Sequence, residues 1–262
     1  MLFNHRGPEF LDDPRLNFLH RWYIRIFGIP VSGLRIRLRR ILPAIEGRFQ
    51  SLVDLGCGKG VFTFELARRY PNSRVLGIDN DQTQVDINNH IAKKHGLKNL
   101  TFEVQDILEF KTAEKFDLAL SVDNLEHIKD DRAALKNILE CLKPGGTFVC
   151  HVPAKERVWI FWGYSTNFDV PGHVRPGYRL IEIKDKIEET GFHILESRHT
   201  YGYLETVTNN LSYLITGADQ RNKLFYALAF PVLNFVAWLG AAQDPKGRGA
   251  GVLTISHRPA KP

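Results

Sequence analysis

Cysteine is scarce in this chain: three in 262 residues, Cys57, Cys141 and Cys150, at spacings that form no metal-like pair. That argues against a disulfide-built fold or a structural zinc cluster and suits a reducing compartment. Residues Met1 to Pro8 lack the long apolar core of a signal peptide, so a cytoplasmic location is expected. No internal repeat or low-complexity tract is present. Walker spacing is also missing, because Lys59 is followed by Gly60 and Val61, which argues against a phosphate cradle. Acids are sparse in residues 1–50, four against nine arginines, while residues 51–262 carry 26 basic and 25 acidic residues. The formal net charge of +6 therefore belongs mainly to the N-terminal extension. A hydrophobic content of 44% with 24% charged residues reads as one globular domain with an added lobe.

What is present begins at Leu52-Val-Asp-Leu-Gly-Cys-Gly-Lys-Gly60, where an apolar run carrying one acid turns into glycines at alternate positions. Ser51 to Leu55 reads as a buried parallel strand, and the glycines let backbone N–H groups approach a ligand. Helical periodicity follows over Lys59 to Arg69. Arg74-Val-Leu-Gly-Ile-Asp79 is a second strand ending in an acid, the place from which such folds bind ribose hydroxyls. Asn99 to Asp106 is a third strand with a terminal acid, and Lys115 to Val122 a fourth, followed by Asp123-Asn-Leu-Glu-His127. Thr147 to Val152 is the fifth, entered through Leu142-Lys-Pro-Gly-Gly146. Strands alternating with helices predict an α/β, doubly wound, Rossmann-like sheet with ligand at the strands' carboxyl ends. A dinucleotide dehydrogenase shares the glycine turn and ribose acid, but its third glycine would fall at position 61, which is Val.

This ordered motif set, over about residues 50 to 155, resembles the class I S-adenosylmethionine-dependent methyltransferases. The resemblance implies a seven-stranded sheet whose last strand is antiparallel, with S-adenosyl-L-methionine as cofactor. It implies that Asp54 and the turn Gly56, Cys57, Gly58 and Gly60 surround the methionine moiety, and that Asp79 takes the ribose hydroxyls. Asn80 would lie near the adenine, Asp106 would accept from its amino group, and Ile107 and Ser121 complete the expected cofactor set. A sulfonium donor carries positive charge, a carboxylate, a diol and a flat base, which suits acids at strand ends beside open backbone donors.

Candidate general bases are His127, His151 and His173, each near the expected carboxyl edge, with His173 and His127 carried forward as the catalytic pair. Gly172-His-Val-Arg175 resembles an element that borders the acceptor pocket in many small-molecule methyltransferases. Asp123, Glu126 and His127 resemble the acid-x-x-Glu-His arrangement of ubiquinone-type O-methyltransferases, which can bind a divalent cation; a helix-capping role is the expectation here, and no metal is assigned. The Asn/Asp-Pro-Pro-Tyr/Phe signature of amino methylation on planar nitrogens is absent. Cys150, inside an apolar strand pattern, is no exposed thiolate nucleophile.

Flanking this core, a basic helical extension is expected over residues 1–50. Leu16, Leu19, Tyr23 and Phe27 share one helical face, and Leu34, Leu38, Ile41, Leu42 and Ile45 another. That leaves Arg21, Arg25, Arg35, Arg37, Arg39 and Arg40 for solvent or a partner: a solvated face, an anionic lipid or substrate, or, least favoured, nucleic acid. The core is expected over 51–200, with an aromatic lid loop at 153–177 containing Trp159, Phe161, Trp162 and Tyr164. A helical insertion spans 201–249, and the final strand and tail 250–262. The apolar run Leu224 to Ala242 approaches membrane-spanning length, but Pro231 and Asn234 interrupt it and a sheet strand follows closely. A buried helix, or one walling a greasy pocket or dipping into a bilayer surface, is expected instead. The reading is a methyltransferase of a small hydrophobic or aromatic acceptor (quinone, isoprenoid, polyketide or lipid), O- or C-methylating, with peripheral membrane contact as an option. The rival is a noncatalytic cofactor-binding regulator or partner subunit using the arginine helices as its interaction surface.

Overall fold

Strand alternation places successive side chains on opposite faces, and the core divides accordingly. The computed structural model describes residues 7–159, 163–166, 170–217, 223–245, 247 and 249–260. Five parallel strands follow the expected order: β1 (Ser51–Leu55), β2 (Arg74–Asp79), β3 (Leu100–Val104), β4 (Phe116–Val122) and β5 (Leu142–Pro153). Leu52, Leu118, Leu120, Val149 and Leu253 point to one layer, while Val53, Ala119, Phe148, Cys150 and Val252 point to the other. The first layer is covered by α3 (Val61–Arg69), α4 (Gln82–Lys94) and the helix at Ser32–Ile41, the second by α5 (Asp131–Cys141) and α6 (Leu180–Thr190).

A hairpin of β6 (Glu156–Trp159) and β7 (Gly163–Thr166) leaves the sheet before α6, and β8 (His193–Thr200) and β9 (Gly251–His257) complete it. The seven strands run β3-β2-β1-β4-β5-β9-β8, with β9 antiparallel to both β5 and β8, as expected. The order reverses between β1 and β4, so the carboxyl ends of these two strands flank the crevice in which a doubly wound sheet binds ligand.

Helices from both flanks of the sequence build one lobe. It contains α1 (Phe18–Phe27), α2 (Ser32–Ile41), α7 (Tyr203–Thr216) and α8 (Lys223–Leu239). Asn17 caps α1 by accepting from the His20 N–H, and Pro43, in a short 3-10 turn, closes the helical run after α2. The Ser32–Thr216 network is polar: the Tyr226 hydroxyl meets Ser32 Oγ at 3.0 Å, which in turn accepts from Ser212.

Three expectations are corrected here. Of the six arginines assigned to solvent or a partner, Arg35 and Arg39 are buried, Arg37 and Arg40 are half-buried with partners inside the protein, Arg21 is half-buried and donates to the Leu16 and Asp13 carbonyls, and Arg25 is exposed. The reason is that α2 is sandwiched, with its apolar face on the sheet and its basic face against α7 and α8. Arg40 Nη2 lies 2.7 Å from Glu205, a fully buried carboxylate that Arg39 also approaches at 3.7 Å. The expected inward face of α1 is wrong as well: Ile24 is its buried residue, whereas Leu19 is 69% exposed. The segment expected as a lid loop carries the β6–β7 ribbon, anchored where Arg157 donates to Asn210 at 2.5 Å and stacks over Trp159. Phe161 and Trp162, and the side chain of Tyr164, lie outside the described residues.

Candidate functional site

The glycine turn is shaped by its surroundings. The Gly56 and Cys57 N–H groups both donate to the Ile78 carbonyl at 2.9 Å, which holds the turn against the end of β2. Gly56 has φ +74°, and a Cβ there would stand 2.3 Å from the Asn124 carboxamide, so the turn and the loop after β4 touch. Gly58, at φ +49°, is different: its Cβ position meets nothing within 4 Å, so this rung of the turn faces open space. Its N–H donates to Asp79 Oδ2 at 2.7 Å, and its carbonyl accepts from Asn88 at 2.8 Å. Gly60 caps the start of α3.

Around that opening stand the three strand-end acids. Asp54 is 3% exposed and accepts from the Thr63 hydroxyl at 2.6 Å. Burial, with the charge of Asp79 adding to it and Thr63 opposing, pushes its carboxyl up to about 7. Asp79 Oδ1 accepts from the Asp81 N–H at 3.1 Å, while Asp106, exposed beyond β3, uses Oδ1 to accept from Leu108. Asn80 is exposed, Ile107 is buried, and Ser121 is 1% exposed beneath Asn124, whose amide lies 3.5 Å from its hydroxyl. Cys57 is half-buried, and burial pushes its thiol far above the ordinary range, which fits a space-filling role rather than a nucleophile. An open backbone rung between carboxylates, one of them strained toward neutrality until a cation arrives, fits a sulfonium-bearing nucleoside better than a pyrophosphate.

The second half of the site lies beyond β4. Asp123 adopts φ +49°, a left-handed conformation uncommon outside glycine that Asp and Asn reach more readily than most residues. This bend directs its carboxylate to Arg37 Nη1 at 2.8 Å and to His151 Nδ1 at 2.6 Å. Burial resists its ionisation, but Arg37 and His151 outweigh it and hold the carboxyl below the usual carboxylate range. His151 is 1% exposed, and its Nε2 meets Thr200 Oγ1 at 2.9 Å, so both ring nitrogens are taken and it is a poor candidate base. His127 and His173 do come together, their rings edge to face at 4.5 Å, with His127 Nδ1 meeting the Gly172 carbonyl at 3.0 Å. Arg175 clamps this Gly-His-Val-Arg segment by donating to Asp131 at 2.7 Å and to the Leu125 carbonyl at 3.1 Å.

Sequence reasoning missed one participant, Arg37, and named a second, Glu126, without its burial. Arg37 carries no local sign of its reach from α2 to Asp123. Glu126 is 0% exposed, and among the described residues neither of its carboxylate oxygens has a hydrogen-bond partner. Burial, reinforced by the charge of Asp123, raises its carboxyl well above the usual range, beside the histidine pair. Ligand-capable atoms of Glu126, His127 and His173 lie within 4.8 Å of one another, whereas Asp123, the acid of the sequence-derived triplet, is committed to Arg37 and His151. The motif names Glu126 beside His127, but its loss of water comes from the packing of the fold.

The comparisons agree with this geometry. Over 103 residues the chain is 35% identical to (S)-coclaurine N-methyltransferase of Thalictrum flavum subsp. glaucum, covering 39% of this chain and 28% of that one. It is 37% identical over 117 residues to trans-aconitate 2-methyltransferase of Deinococcus radiodurans (45% and 42%), and 31% over 112 residues to ubiquinone biosynthesis O-methyltransferase of Coxiella burnetii (42% and 47%). The chain thus spans less than half the length of these curated relatives. Among solved structures, the [4+2]-cyclase SpnF superposes with TM-score 0.59 at 20% identity, covering 87% of this chain and 83% of that one. Coclaurine N-methyltransferase bound to N-methylheliamine and SAH superposes with TM-score 0.57 at 18% identity (88% and 73%). A family model described as a methyltransferase domain matches residues 50–175, the stretch that carries the glycine turn, the three strand-end acids and the histidine pair. With those motifs held at the crevice of a seven-stranded sheet, residues 50–175 carry a methyltransferase domain, similar in fold and motifs to the class I S-adenosylmethionine-dependent enzymes.

Proposed function

We propose that this protein transfers a methyl group from S-adenosyl-L-methionine to a small hydrophobic or aromatic acceptor such as a quinone, isoprenoid, polyketide or lipid. The observation that carries the reading is the open Gly58 rung between Asp54 and Asp79, with His127, three residues past the Asn124 that packs on the same turn, paired with His173. Bound S-adenosylmethionine supplies an electrophilic methyl on a positively charged sulfur. Asp79 offers carboxylate oxygens to a diol, Asp106 retains one free of the Leu108 contact, and Asp54 answers positive charge by ionising. His127 and His173 are placed to accept a proton from an acceptor hydroxyl, enol or ammonium. Positioning and exclusion of water supply much of the rate for a displacement of this kind, so a histidine contributes rather than decides.

Coclaurine, trans-aconitate and ubiquinone biosynthesis appear in the names of the curated relatives, which supports a small-molecule acceptor. The preference for a hydrophobic one rests on Trp159, half-buried in the β6–β7 ribbon with its ring centroid 6.4 Å from that of Tyr213 on α7. The rival reading, a noncatalytic partner subunit, needs the arginine helices as an outward surface; the inward engagement of Arg35, Arg37, Arg39 and Arg40 counts against it.

Mass spectrometry of acceptor panels incubated with enzyme and isotopically labelled methyl donor tests the activity. His173→Ala is expected to lower turnover by about 100-fold while leaving the calorimetric affinity for the cofactor within about twofold. Unchanged turnover removes His173 from the chemistry.

A further inference from the structure

Large apolar side chains are exposed in an ordered way on the helical lobe. On α8, Leu224, Phe225, Leu228, Val232, Phe235 and Leu239 are 45–79% exposed. At about 100° of helical rotation per residue they share one arc of about 100°, diametrically opposite the arc of buried Phe230, Leu233, Asn234 and Ala237. Helix α1 repeats the pattern: Phe18, Leu19, Trp22 and Ile26 are 46–77% exposed on one side and Ile24 is buried on the other. The Tyr23 hydroxyl donates to the Ala227 carbonyl at 2.6 Å and ties the two helices side by side. Soluble monomers rarely leave so many large apolar groups together on their surface.

Charge identifies what covers this face. Neither helix contains an acid, α1 contributes Arg21 and Arg25, and α8 begins at an exposed Lys223. Arg25 is exposed and has no ion-pair partner among the described residues. Packing two copies of this face against each other would oppose like charges, whereas a surface of anionic headgroups over an apolar interior complements both the arginines and the apolar stripe. The exposed indole of Trp22, at 54%, suits the headgroup boundary. The one-sided character of both helices suits lying in the interface, and no described helix is long and apolar enough to cross a membrane.

We propose that the α1–α8 face docks on a bilayer bearing anionic lipid, with both helices in the plane of the interface. The proposal is independent of the methyl-transfer reading, because its readout is partitioning and not turnover. The full chain is sedimented with vesicles of phosphatidylcholine containing about 30% phosphatidylglycerol, and with pure phosphatidylcholine. The expected result is cosedimentation that is stronger with the anionic vesicles and weakens several-fold as salt is raised from about 0.05 to about 0.5 M. Phe18→Ser, Trp22→Ser, Leu228→Ser and Phe235→Ser combined lie at exposed positions and are expected to lower partitioning at least about tenfold. Hydrogen exchange of the unaltered chain provides a reading that needs no variant: vesicles are expected to slow amides of α1 and α8. No cosedimentation with anionic vesicles, whether the chain is monomeric or pairs through this face, overturns the proposal. So does equal partitioning of the quadruple variant, or vesicle-induced protection confined to other elements.

Discussion

Replacing Asp54 by Asn is expected to make the ligand-free protein more stable at alkaline pH and a worse cofactor binder. In the fold the Asp54 carboxyl rises from 3.8 to about 7 because it is buried, so the fold favours its protonated form. For an acid raised in this direction, the stability it contributes is fully present below about pH 4 and is lost as pH climbs through about 7. The full climb corresponds to about 4 kcal/mol, of which about 2–3 kcal/mol is lost between pH 5 and 8. Asn keeps an oxygen for the Thr63 hydroxyl but carries no charge to desolvate. The wild-type Tm is therefore expected to fall relative to that of Asp54→Asn by about 5–10 °C between those pH values, given about 2–4 °C per kcal/mol for a domain this large. The assay is a pair of calorimetric or circular-dichroism melts across pH 5–8 without cofactor; contributions from distant groups cancel in the difference. With S-adenosylmethionine present the preference should invert, since a cation beside Asp54 rewards ionisation and the variant cannot respond. Parallel Tm profiles for the two proteins would refute the argument that this carboxyl is held out of water at a cost.

Two further outcomes are expected. Asp79→Ala removes both the acceptor of the Gly58 N–H and the carboxylate offered to a ribose, and should weaken cofactor binding by at least about tenfold, the low end for a charged hydrogen bond; isothermal calorimetry checks it, and an unchanged Kd disproves the assignment. Arg37→Met strips Asp123 of its guanidinium partner and should cost about 2–4 kcal/mol in chemical unfolding, with Asp123→Asn in the same chain restoring part of the loss; additive losses would mean that the two groups are not coupled.

The parts of this protein that could be read from its sequence are those whose cause is local. Alternation between Leu52 and Val53 carries strand β1 and its two-sided burial, and the φ freedom of Gly56 and Gly58 carries the turn. Leu180 to Thr190 is a helix ending at Gly191, as its periodicity and glycine stop require. The Asp79 position likewise follows from one strand's length. What could not be read depends on long-range neighbours. Arg35 and Arg39 look like solvent residues because sequence shows one amphipathic face, whereas α2 has two covered faces. Glu126 is ordinary until the fold removes its water, and His151 looks as available as His127 until β8 supplies Thr200. The aromatic segment gave no period to mark a hairpin, since glycine and proline interrupt it.

The helical lobe also sets a timetable for synthesis. Arg40 and the Glu205 carboxylate it needs are 165 residues apart, and Tyr23 waits 204 residues for the Ala227 carbonyl. On the ribosome the arginine-rich helices α1 and α2 emerge well before α7 and α8, which follow six of the seven sheet strands. Until then α2 holds guanidinium groups and apolar side chains with only half their final surroundings. Translation thus delivers the parallel strands β1–β5 before the helical cap can close, while β9, the strand that joins β8 to them, follows α8, so the sheet's last strand and its cap fall in the same late, high-contact-order stage.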